Sequence, residues 1–159
     1  MKNFYAHIKY KYDNSTCMDL KLFCKLKKKL AKMNSRLKFL LRCKECEITP
    51  PHLLHAMINV NSLFTSDIVK TQLDKIEHIF LHKLLQLEIR QTNITIKNIK
   101  NNLFHAENRM KITLNDTEFD NFLQRQNVTY NHLLKTSEET HNKKIQTAKN
   151  KKYDKQCVT

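Results

Sequence analysis

The chain contains no glycine among its 159 residues. Glycine takes positive φ freely and lets backbone approach a ligand closely. P-loop and Rossmann phosphate sites place glycines at fixed positions so that backbone N–H groups reach the phosphate. Both are excluded here. Tight two-residue hairpin turns also favour glycine, so short β-hairpins are disfavoured. The two prolines, Pro50 and Pro51, are adjacent, which confines helix breaking to one place. A chain built this way is expected to be all-α.

Apolar spacing supports that expectation. Phe23, Leu26, Leu30, Met33, Leu37 and Leu40 step by alternating threes and fours, a heptad seam. A helix is expected over 18–47, ended by Ile48-Thr49-Pro50-Pro51 because proline lacks the N–H and biases its predecessor away from helix. A short helical turn is expected at 52–58. Thr65-Ser66-Asp67 supplies capping side chains, and a second helix is expected over 67–110. Val69, Leu73, Ile76, Phe80 and Leu87 keep one frame, with Lys83 in the gap. Thr92, Ile96, Ile99, Leu103, Ala106 and Met110 keep another, so a kink, a break or a change of partner is expected near 87–92. Asn115 and Glu118 stand at capping-box spacing before a third helix over 117–136, with Phe119, Leu123, Tyr130 and Leu133 apolar and Gln126 inserted among them.

The expected architecture is a helical bundle or antiparallel coiled coil of about three long helices. Residues 1–16 read as an irregular basic N-terminus, 17–136 as the helical domain, and 137–159 as a basic frayed tail. No apolar run reaches the roughly 20 residues that a membrane-spanning helix needs. The first residues do not read as a signal peptide. An intracellular protein, nuclear or cytoplasmic, with its cysteines reduced, is the expectation.

Charge narrows the functional classes. The chain carries 29 Lys and Arg against 15 Asp and Glu, a net charge of +14. The excess concentrates in residues 1–47, where 13 basic residues face 4 acidic ones. A uniform lysine bias would spread it evenly. Lys21, Lys25, Lys28, Lys32 and Arg36 recur at helical spacing on the side opposite the apolar seam, as side chains following a phosphate backbone would. Phe39 falls on the same side by the roughly 100° rotation per residue, where it would stack on a base or pack against another helix. A solvated lysine face is the competing reading of the same pattern, and an anionic membrane or acidic partner helix is a third.

Other constellations are weaker. Cys43 and Cys46 form a Cys-x-x-Cys, and His52 and His55 follow the prolines, so these four compose a conceivable zinc set. The spacing is tighter than that of a standard finger. His78 and His82 stand at i and i+4, a two-ligand arrangement with no third partner in view. Asp116, Glu118 and Asp120 crowd a helix start, where negative side chains offset the helix dipole, and this accounts for them better than a nuclease site does. No catalytic constellation and no cofactor is expected.

One stretch carries a resemblance. Leu37-Lys38-Phe39-Leu40-Leu41-Arg42-Cys43, then Ile48-Thr49-Pro50-Pro51-His52-Leu53, then the long helix to about Met110, resembles the region upstream of the reverse transcriptase in Penelope-like retroelements. In that family a hydrophobic run ending in Leu-Arg-Cys precedes an Ile-x-Pro turn and a long helix. The resemblance implies a retroelement-derived segment that handles RNA or DNA. It implies no activity, because the polymerase's paired aspartates are missing and a GIY-YIG nuclease needs glycine. Two functions follow as expectations: a non-enzymatic module binding RNA or DNA through the first helix, or a structural coiled coil that meets a helical partner or a second copy.

Overall fold

A computed structural model describes the backbone of residues 14–53 and 67–157 and the side chains of residues 18–53 and 78–152. Every long element among them is a helix: α1 (Asn14–Glu45), α2 (Asp67–Thr113) and α3 (Asp116–Cys157). The protein is all-α. The expected irregular N-terminus falls almost wholly outside the described residues, as do most of the expected turn at 52–58 and the caps at Thr65 and Ser66. No helix among the described residues is long and apolar enough to cross a membrane.

The end of α1 shows how a glycine-free chain stops a helix. Glu47 adopts φ 52°, the left-handed conformation usually given to glycine. Its N–H bonds Lys44 O at 3.3 Å, and the Ile48 N–H reaches back to Cys43 O at 2.9 Å. These two bonds satisfy carbonyls that the helix end would otherwise leave without partners. Ile48 and Cys43 then share one buried cluster, the apolar contact that accompanies this type of cap. Pro50 is buried beyond it and accepts from the Leu53 N–H at 3.0 Å, closing a helical turn at 51–53.

The chain divides into two compact units, Met1–Ser35 with Ile94–Ser137 and Arg36–Asn93 with Glu138–Thr159. In the first, Leu20, Phe23, Leu30 and Ala31 of α1 are buried, as are Ile96, Ile99, Leu103, Ala106 and Met110 of α2 and Phe119 and Phe122 of α3. Each such large apolar side chain contributes about 1.5–3 kcal/mol on burial. Phe23 and Phe122 lie with ring centroids 5.4 Å apart. Further along both helices, Asn34 Nδ2 donates to the Tyr130 hydroxyl at 2.7 Å, so α1 and α3 run parallel in this unit. Asp19, near the start of α1, meets Arg109, near the end of α2, at 3.0 Å. Leu114 and Asn115 link α2 to α3. The Glu118 N–H donates to Asn115 Oδ1 at 2.8 Å, the first half of the expected capping box. Gln126 is buried at 1% exposure rather than standing as a gap in the seam.

The second unit is centred on Phe39, Leu40, Cys43, Ile48, Leu53, Leu81, Leu85 and Ile145. Two expectations change here. Residues 137–157 do not form a frayed tail: α3 continues to Cys157, and Ile145 is 2% exposed in this core with Ala148 packed beside it. A sparse apolar pattern suffices when one isoleucine meets a deep cluster. The second change concerns α2, which is one helix across 87–92 and not broken there; of the alternatives expected at that point, a change of partner agrees with the passage from one unit to the other at Asn93–Ile94. Its buried positions Leu81, Leu85 and Thr92 lead directly into Ile96, Ile99 and Leu103. Carried backward, the later frame holds through Leu85 and then shifts by one residue, burying Leu81 where a strict repeat would place the exposed His82. The rejected frame leaves Phe80 at 47% and Leu87 at 57% exposure. Two leucines at 84 and 85 beside Leu81 offer more apolar area than a frame with Lys83 at its centre. Thr92, the polar member, donates its hydroxyl to Glu88 O at 2.7 Å and so enters the buried row with its polar atom satisfied.

Candidate nucleic-acid interface

The exposed side of α1 in the first unit is a lysine face. Lys21, Lys25, Lys28 and Lys32 are all exposed, and none forms an ion pair with an acid among the described residues. Lys29, not included in the face expected from sequence, is exposed as well; its 80° offset from Lys21 at roughly 100° per residue placed it at the margin. Asp19, the one acid between 18 and 35, is engaged by Arg109 at 3.0 Å. Lys27 turns the other way, with its Nζ 5.0 Å from the centre of the Tyr130 ring.

Arg36 and Phe39 belong to the second unit and differ from the lysines in setting. Arg36 is exposed but lies 3.6 Å from Glu88. Phe39 does not present a surface for a base. It is 8% exposed and stacks on His141, with centroids 4.7 Å apart and planes inclined by 24°. Seven residues separate it from Lys32, so the two share nearly one azimuth. In the second unit that side of α1 is occupied by α3: Lys38 meets Glu138 at 2.5 Å, and Arg42 bonds Asn142. Of the two roles expected for Phe39, helix packing is the one present.

Among the described residues, the cysteine and histidine set does not come together as a metal centre. Cys43 is 1% exposed inside the apolar core. Burial, then the neighbouring Cys46, pushes its thiol from 9.0 up to about 11, with Arg42 acting in the opposite sense. A thiol so held resists becoming the thiolate that ligates zinc. His52 is committed elsewhere, its Nε2 lying 2.8 Å from both carboxylate oxygens of Glu88. His55 lies outside the described residues. His78 and His82 are exposed on α2 and line a cleft of about 540 Å³ with Cys43, Ile48 and Pro50; His82 Nε2 lies 3.1 Å from the Gln86 amide nitrogen. Among the described residues no three metal-ligating side chains come together. Asp116, Glu118 and Asp120 sit in the first turns of α3, as their dipole role requires.

No protein-family model matches this chain, and neither does a curated protein or a solved structure. The reading of the site therefore stands on its residues.

Proposed function

We propose that this protein is a non-enzymatic helical module that binds nucleic acid through the lysine face of α1. The observation that carries the reading is the row Lys21, Lys25, Lys28 and Lys32, exposed on one helical side and without an ion pair to an acid among the described residues. Surface lysines kept only for solubility are usually interspersed with acids, and 18–35 holds six lysines and one acid, already paired. Such a row binds by releasing the counterions of phosphates. Descent from a retroelement segment belongs to the same proposal, supported by the Leu37–Cys43 and Ile48–Leu53 motifs. A reverse transcriptase frame next to the coding sequence is the expected genomic observation.

The test is retention of labelled RNA and DNA by the full chain across a salt series. Four contacting lysines give a slope of log affinity on log salt of about −3.6 for a duplex. The variant Lys25→Gln with Lys28→Gln reduces that slope by about 1.8 and leaves the fold intact, since both side chains are exposed. No retention at low salt sinks the proposal.

A second reading has its own observation. Phe80 and Leu87, seven residues apart on α2, are exposed, and a second copy of the chain would cover them. Sedimentation at rising concentration separates the two readings: a monomer throughout removes self-association, whatever the nucleic-acid result.

A further inference from the structure

Resting on the nucleic-acid reading above, we infer that α3 carries a second site for the phosphate backbone of the same ligand class, formed by Lys143, Lys144 and Lys151. These residues belong to the second unit, whereas the α1 row belongs to the first. In a frayed tail they would be loose charges. Ile145, 2% exposed, instead seats this stretch of helix in a core, so the lysines hold fixed directions. At roughly 100° per residue all three turn about 100° or more away from Ile145 and fall within about 100° of one another.

Residues 140–152 hold five lysines and no acid. Lys143, Lys144 and Lys151 are exposed and form no ion pair with an acid among the described residues. Of the two acids just before this stretch, Glu138 is engaged by Lys38 at 2.5 Å. Glu139, one turn before Lys143, is not ion-paired to it. The helix dipole favours cations only in the last turn. Lys151 stands six residues and Lys144 thirteen residues before the helix end at Cys157, so the dipole does not account for them.

The neighbours of these lysines select the ligand. No large apolar side chain of 140–152 is exposed, because Ile145 lies in the core and Ala148 packs beside it. A helix lying in a membrane surface inserts an apolar face. Protein interfaces have a buried core enriched in aromatic and methionine side chains. This strip offers neither. Its other exposed side chains are Thr140, Asn142, Gln146, Thr147 and Asn150, of the hydroxyl and amide types that contact phosphates alongside lysine. A polar, cationic strip without apolar anchors fits a phosphate backbone.

The test is fluorescence anisotropy of the full chain over a salt series, with the RNA or DNA probe that the wild type retains. The site variant is Lys143→Gln with Lys144→Gln and Lys151→Gln. A control of equal charge change is Lys97→Gln with Lys100→Gln and Lys135→Gln, all exposed elsewhere. The site variant is expected to lower the slope of log affinity on log salt by about 2–2.7, at about 0.7–0.9 per phosphate contact, and the control by less than about 0.5. A wild-type slope in the site variant overturns the inference and leaves the α1 reading in place. Equal losses in both variants reduce the effect to net charge and overturn it too. Absence of binding by the wild type overturns the underlying reading as well. Phosphatidylserine vesicles are the remaining arm: wild-type retention that the site variant abolishes, with the nucleic-acid slope unmoved, assigns the lysines to a lipid surface instead. Circular dichroism checks that each variant is helical, and Lys144→Gln alone, with an expected loss of about 0.7–0.9, serves if the triple is not.

Discussion

Phe39 of α1 stacks on His141 of α3 with ring centroids 4.7 Å apart, in a core that also holds Leu40, Cys43 and Ile145. The contact joins helices separated by about a hundred residues of chain, and it explains why the end of α3 is ordered against α1 rather than solvated. Truncation of the ring removes both its buried area and the stack. Phe39→Ala is expected to cost about 3–4 kcal/mol in a urea unfolding series. Nucleic-acid affinity of the folded protein is expected to be unchanged. A folded variant with tenfold weaker binding and wild-type stability would return Phe39 to the ligand face.

Glu47 supplies a substitution of the opposite sign. Its φ of 52° costs a residue with a Cβ about 1 kcal/mol or more, and glycine adopts it freely. Its side chain is exposed, so little packing is lost. Glu47→Gly is expected to stabilise the protein by about 0.5–1 kcal/mol, the entropy of the freer unfolded chain offsetting part of the relief. The midpoint of urea denaturation should rise; a lower midpoint would show that the cap is not strained.

Cys43 makes stability depend on alkaline pH. The fold holds its thiol at about 11, above the ordinary 9.0. The native state therefore keeps the proton that the unfolded chain releases. The stabilisation is fully present below about pH 9 and falls as pH rises from 9 toward 11, by roughly 1–3 kcal/mol. Cys43→Ala should flatten this part of the stability profile relative to wild type. At pH 8, iodoacetamide should label the partly exposed Cys46 before the buried Cys43; simultaneous labelling would contradict the burial of Cys43.

Glu88 ties the turn after α1 to α2 by meeting His52 at 2.8 Å and Arg36 at 3.6 Å. All three side chains reach solvent, so the group is screened. Glu88→Gln is expected to cost about 0.5–1 kcal/mol. A double-mutant cycle with Arg36→Gln should show a coupling of a few tenths of a kcal/mol, and raising the salt should shrink it. A coupling above about 2 kcal/mol would mean that the pair is far less solvated than its exposure indicates.

Helical class, the stop at Ile48-Thr49-Pro50-Pro51 and the Asn115 start of α3 were legible from local chemistry, because capping and proline act over a few residues. So was the lysine side of α1 up to Lys32, since a period of about 3.6 residues sorts apolar from charged side chains without knowledge of a partner. The choice between two heptad frames on α2 was not. Phe80 and Leu87 were as apolar as Leu81 and Leu85, and only the cluster around Leu40 and Ile145 selected the second pair. The place of Phe39 was likewise open: its azimuth continues that of Lys32, and a helix wheel assigns both to one side. Packing against α3 buries that side at Phe39 while it stays exposed at Lys32. Periodicity states which residues share a face; which face meets another helix is settled by the area the partner buries, and that depends on residues about a hundred positions away.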